Sequence, residues 1–196
     1  MEFPFTADAL LAGTGGRWHA GFMPDHPLAY LITFRTFGTW LHGDPRGSTD
    51  RSHNTYGAPH LAADGDLQAR RMASMRQQPL VLTVEQRRIV EATLRDVCAH
   101  RSWALFAANV RTNHVHAVVE AKASPERMLI DFKAWSTRRL VERGALAHDS
   151  RVWSRHGSTC YLWCAESVES SCEYIVHAQE EPEGSTHGPR SGMIRA

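Results

Sequence analysis

Residues 112–120 read T-N-H-V-H-A-V-V-E, so His114 and His116 stand one valine apart in a run of β-branched and small apolar residues. In an extended strand residues i and i+2 project to the same face, about 7 Å apart along the chain. Val115, Ala117 and Val119 then point the other way, toward a core. Two neutral imidazoles on one face can share a divalent cation if a third group closes the site, since imidazole is a common ligand of such ions. Taken alone, the tripeptide fits equally well two polar residues on the wet side of a strand.

The second group able to do chemistry is a phenol. The chain has four tyrosines, Tyr30, Tyr56, Tyr161 and Tyr174. A phenol ordinarily titrates near about 10, so as a nucleophile it needs a metal ion or a base beside it. Tyr30 opens a strand-like run and Tyr161 lies in another, where packing is the expected job. Tyr56 falls in a long polar stretch. Tyr174 follows Glu173 in the last helical segment, where packing beside Ile175 and Val176 is the plain alternative to chemistry.

These groups need a scaffold, and the pattern supplies one. Residues 29–37, AYLITFRTF, alternate as a strand does. A stretch dense in Gly, Pro, Asp, Ser and Asn follows, of a length that in a compact domain marks a functional or disordered loop. A short helix is expected over 67–76. A longer one over 83–101 opens with Thr83 and Gln86 as a capping box and carries Ile89, Val90, Leu94 and Val97 on one stripe. Residues 103–110 and 115–120 read as two strands of a hairpin. Ser124 and Pro125 begin a helix that ends at Gly144, with Leu129, Phe132, Trp135 and Leu140 inward. A strand formed by the last residues of the 151–163 stretch and a helix over 165–179 complete the series. The order β-α-β-β-α-β predicts an α+β, ferredoxin-like sandwich with an antiparallel sheet, helices on one face, and an extra C-terminal helix carrying the tyrosine. The histidines then belong to the helix-free face.

Composition bounds the rest. With 196 residues, 42% hydrophobic and 22% charged, the chain suits one soluble domain. We expect a flexible extension over 1–27, the domain over 28–180 and a flexible tail over 181–196. A formal charge of +1 announces no polyanionic partner by itself, but lysine is rare, with Lys122 and Lys133 the only two, and arginine frequent. Arginine suits forked phosphate contacts. No C-x-x-C pair, no basic leader and no long apolar span occur, so a cytoplasmic protein with reduced thiols and no membrane partner is expected.

N-H-V-H before an apolar strand, together with YLITFRTFGTWL, DFKAWSTRRL and CEYIVHAQ in that order, resembles the single-tyrosine HUH transposases. That group includes the REP-associated tyrosine transposases. The resemblance spans roughly residues 28–180. It implies that His114 and His116 hold Mg²⁺ or Mn²⁺ against the scissile phosphate of single-stranded or hairpin DNA, and that Tyr174 attacks it. A third ligand, Gln or Asn, is implied at i+4 from the tyrosine. Here that position is Ala178, which leaves His177 at i+3 and Gln179 at i+5 as candidates, Gln179 slightly favoured. Lys133 matches the family's helical lysine. Arg35, Arg111, Arg138, Arg139 and Arg155 are further candidates for phosphate contacts, with Arg46, Arg51, His53 and Asn54 spaced along the polar stretch. Trp40 and Trp153 are candidates for stacking on bases, or for core.

The expected activity is metal-dependent DNA strand cleavage and rejoining through a 5′-phosphotyrosine intermediate, the chemistry of transposition. A binding module for structured DNA with the same fold and no catalysis is the alternative. A metal-dependent phosphodiesterase acting without Tyr174 ranks behind both, because no Asp or Glu adjoins the histidines. A monomer and a homodimer that exchanges the tyrosine helix both remain compatible with the sequence.

Overall fold

A computed structural model describes residues 25–45 and 63–177. Arg46, Arg51, His53, Asn54, Tyr56, Gln179, most of the 1–27 extension and the 181–196 tail lie outside the described residues. Among the described residues the order is β1 (Ala29–Thr36), α1 (Gly65–Ala73), α2 (Val84–Arg101), β2 (Ala104–Val110), β3 (His114–Glu120), α3 (Pro125–Glu142), β4 (Trp153–Leu162) and α4 (Ala165–Val176). None of the described helices is long and apolar enough to cross a membrane.

The helix starts follow from local chemistry. Thr83 accepts from the Gln86 N–H while the Gln86 side chain accepts from the Thr83 N–H, the reciprocal cap that starts α2. Ser124 caps α3, and Pro125 occupies the first turn, where no N–H is needed. α1 begins at Gly65, earlier than the apolar pattern suggests, because Asp64 accepts from the Leu67 N–H.

The four strands pair in the order β2-β3-β1-β4, and every neighbouring pair is antiparallel. β1 and β2 are therefore parallel with β3 between them, the split arrangement of the ferredoxin-like fold. One face of the sheet packs on α2 and α3. Ile32, Phe34, Val115, Ala117 and Val119 meet Val90, Leu94, Val97, Met128, Phe132 and Leu140 there.

The other face is not helix-free as expected from the sequence. α4 folds back across it and buries Val168 and Ile175 against Leu31, Ala107, Val118 and Cys160. An apolar patch on a sheet must be covered, and the apolar stripe of α4 covers it. The core thus has two layers, one on each side of a single sheet.

At the outer strand, Phe34 pairs with Gly157 but Thr36 pairs with Trp153, so β4 spends two extra residues in a bulge. Gly157 is bare for a reason: a Cβ there would sit 2.7 Å from the Thr33 carbonyl oxygen and within 2.9 Å of the Leu129 methyls.

Candidate active site

On the α4 face the antiparallel registers align three rows across β1, β3 and β2. Leu31 lies opposite Val118, and Ala107 is opposite Val118 on its other side. One step on, Thr33 and Asn109 flank His116. One further step brings Arg35 opposite His114, and the Arg111 N–H donates to the His114 carbonyl at 2.8 Å. The rows run from apolar to polar to cationic, because each strand places every second residue on this face.

Both imidazoles of the pair are held through Nδ1. The His114 ring hydrogen-bonds Asn113 Oδ1 at 2.6 Å, and since an amide oxygen only accepts, Nδ1 carries the proton. His116 Nδ1 shares a hydrogen bond of 2.8 Å with Thr33 Oγ1. Such outer contacts fix ring orientation in metal-binding histidines and direct Nε2 to the ion. The two rings stand 4.8 Å apart, centroid to centroid, at 80°. His116 is 9% exposed. Burial foremost, then the charges of His114, Arg35 and Arg111, push its pKa down to about 3. It is neutral at pH 7, the form in which imidazole ligates.

Tyr174 stands on the same face. It is half-buried on α4, and its ring centre lies 6.1 Å from that of His116, edge to face. The helix bearing it is pinned at its end: Asn109 Nδ2 donates to the Ile175 carbonyl at 2.8 Å. Tyr30 and Tyr161 pack edge to face on the opposite side of the sheet, with ring centres 5.2 Å apart.

His177 forms the C-terminal cap of α4 and is exposed. Among the described residues no group of three or more His, Cys, Asp or Glu that could hold a metal ion is found. The donor set accordingly offers two imidazoles fit for a divalent ion, with the remaining coordination open to a ligand outside this set.

The cationic candidates divide. Arg35, stacked over the Trp40 ring at 3.6 Å, and Arg111 sit beside the histidines. Trp40 is thus engaged by an arginine. Arg138 is exposed on α3, across the sheet, and Arg155 is exposed in the β4 bulge. Arg139 faces Asp96 at 3.7 Å and Glu142 at 3.4 Å.

Lys133 lies on the far side too. Its Nζ donates to the carbonyls of Ser154 at 2.8 Å, His156 at 3.1 Å and Arg155 at 3.4 Å, the residues the bulge removes from the strand ladder. Burial pushes its pKa down to about 8. Trp153 is core: it is buried edge-on to Phe34, and its Nε1 donates to the Lys133 carbonyl.

Sequence reasoning missed Thr33, Asn109 and Asn113. Asn113 is visible as the residue before His114, whereas Thr33 and Asn109 are found only once the register is known.

A cavity of about 880 Å³ opens elsewhere, near the end of β1, between Phe37, Met75, Leu80, Leu146 and Arg151. None of the candidate site residues lines it.

No curated protein matches the chain. Among solved structures, a candidate transposase from Deinococcus radiodurans R1 is similar at 16% identity and a TM-score of 0.45, covering 84% of this chain and 98% of that one. A REP-associated tyrosine transposase bound to a REP hairpin is similar at 10% identity and a TM-score of 0.45, covering 82% of this chain and 70% of that one. Residues 66–177, more than half of the chain, match the family model described as transposase, IS200 like. The chain belongs to the IS200-like transposase family.

Proposed function

We propose that this transposase cuts and rejoins single-stranded or hairpin DNA by transesterification, with Tyr174 as nucleophile and His114 and His116 as ligands of Mg²⁺ or Mn²⁺. The observation that carries the reading is the 6.1 Å approach of the Tyr174 and His116 rings on one face of the sheet. A divalent cation bound by the pair supplies Lewis-acid polarisation of the scissile phosphate. The chain's own residues do the rest. Asn113 and Thr33 hold the imidazoles. Arg35 and Arg111, the cationic row beside them, take the phosphates flanking the cut. Gln179 is the favoured third ligand, with His177 as the alternative.

In the reaction the phenolic oxygen of Tyr174 attacks phosphorus, and the bond from phosphorus to the 3′ oxygen breaks. The departing oxygen takes up one proton as the phenol gives one up, leaving a 5′-phosphotyrosine and a 3′-hydroxyl. The same or another 3′-hydroxyl then attacks the phosphotyrosine, restoring the phenol. The number of phosphodiester bonds is conserved, so no nucleotide cofactor is required.

The test incubates the protein with Mn²⁺ and a hairpin DNA labelled at its 3′ end. Wild type should form a covalent, denaturation-resistant adduct that Tyr174→Phe cannot form. Equal adduct in the two proteins removes Tyr174 from the reaction. Metal-independent DNA binding with no adduct in either points instead to a binding module.

A further inference from the structure

The tyrosine helix is held on the site face by two kinds of contact. Val168 and Ile175 bury against the sheet, and burial of that kind is non-directional: it opposes lifting the helix but sets its rotation weakly. A directional contact is the hydrogen bond of 2.8 Å from Asn109 Nδ2 to the Ile175 carbonyl. Ile175 adjoins Tyr174 and lies in the last turn of α4, which ends at Val176. Carbonyls of a last turn run out of N–H donors four residues ahead, so they take partners from elsewhere. Asn109 is an unusual residue for a strand interior, since asparagine is depleted there. It is also the direct neighbour of His116 in the β2–β3 register. One row of the sheet therefore holds both the imidazole and the end of the helix that carries the phenol.

We infer that Asn109 is a positioning residue for strand transfer: its amide clasps the end of α4 and sets the phenol of Tyr174 against His116. The inference rests on the reading of Tyr174 as nucleophile. Misplacing a reacting group by about 1 Å costs on the order of 100-fold in rate, which is the scale a loosened helix end makes available.

The experiment compares wild type with Asn109→Leu, near in shape without a donor, and with Asn109→Gln, an amide on a longer arm. All are assayed with Mn²⁺ at a temperature where each is fully folded. Asn109→Leu should slow single-turnover adduct formation by about 10- to 100-fold, with DNA and Mn²⁺ affinities unchanged. Asn109→Gln should recover part of the rate. By NMR, the His116 ring protons should move in Asn109→Leu toward their position in Tyr174→Ala, as the ring current of the phenol withdraws. Should Asn109→Leu fail to fold, Asn109→Ser carries the same expectations, its hydroxyl being too short to reach the carbonyl. An undiminished rate in a folded donor-less variant overturns the inference. So does a slowed rate with unmoved His116 protons and no recovery in Asn109→Gln, the pattern of a merely structural loss. If wild type forms no adduct, the nucleophile reading falls by itself, and the NMR comparison still decides whether Asn109 places the ring.

Discussion

Acidifying the metal-free protein should destabilise it through His116, and a single substitution isolates the effect. The folded protein holds His116 neutral down to about 3, chiefly by burial, whereas in the unfolded chain a histidine titrates near about 6.5. Between those values the unfolded state binds a proton that the folded state refuses, so the free energy of unfolding rises with pH. The stability is fully present above about 6.5 and drains as pH falls toward about 3. Inside that window each pH unit is worth about 1.4 kcal/mol, and integration from pH 7 to pH 5 gives about 2 kcal/mol. Other groups titrate as well, so the quantity to measure is a difference. Urea unfolding of wild type and His116→Gln, in EDTA at pH 7, 6 and 5, should show wild type losing about 2 kcal/mol more than the variant. That corresponds to a relative midpoint shift of about 1 M urea. Parallel pH dependences in the two proteins would refute the reasoning, since they would mean that His116 gains its proton as readily in the fold as in water.

Thr33→Val removes the partner of His116 Nδ1 and should weaken Mn²⁺ binding about 10-fold in calorimetry, as loss of an outer contact to a metal histidine does, with little change in melting temperature. Lys133→Met strips three carbonyls of the β4 bulge of their donor and should cost about 1–3 kcal/mol in chemical unfolding while leaving Mn²⁺ affinity alone. Loss of metal affinity in that variant would put the ammonium at the site after all. Gly157→Ala forces a Cβ against the Thr33 carbonyl oxygen and the Leu129 methyls. It should lower stability by about 1–3 kcal/mol, read from the urea midpoint, because backbone on one side cannot yield.

What the sequence discloses is what is local. The cap of α2 is written in Thr83 and Gln86, that of α3 in Ser124 and Pro125, and the hairpin in two alternating runs around residues 111–113. The β-α-β-β-α-β order follows from these, and so does the shared face of His114 and His116. Side-chain partnerships across the sheet are another matter. Thr33 meets His116 across 83 residues of chain, and Asn109 reaches Ile175 across 66. No periodicity carries that information; it is created when the strands settle into register. The surroundings of Lys133 are hidden from the sequence for the same reason. Its place on a helix says that it has a side to face, but only the β4 bulge, with its displaced carbonyls, decides that the ammonium turns there.

The three rows on the α4 face explain why the site sits where it does. A helix can dock only where the sheet offers apolar surface, and Leu31, Val118 and Ala107 offer it. Metal and phosphate need the opposite, a face that is polar and then cationic. One strand cannot supply both at one position, but the same three strands supply them in succession: Leu31 to Thr33 to Arg35, Val118 to His116 to His114, Ala107 to Asn109 to Arg111. The last turn of α4 ends at the boundary, which leaves Tyr174 half-buried, with its helix anchored on the apolar row and its ring beside the polar one. Moving that boundary by one row should therefore move the phenol of Tyr174. Thr33→Leu, which extends the apolar surface toward Arg35, should draw the end of α4 outward. Adduct formation should then fall further than in Thr33→Val, although both lose the same hydrogen bond to His116. Equal losses in the two variants would mean that burial on this face does not set the helix position, and the hydrogen bond from Asn109 would have to set it alone.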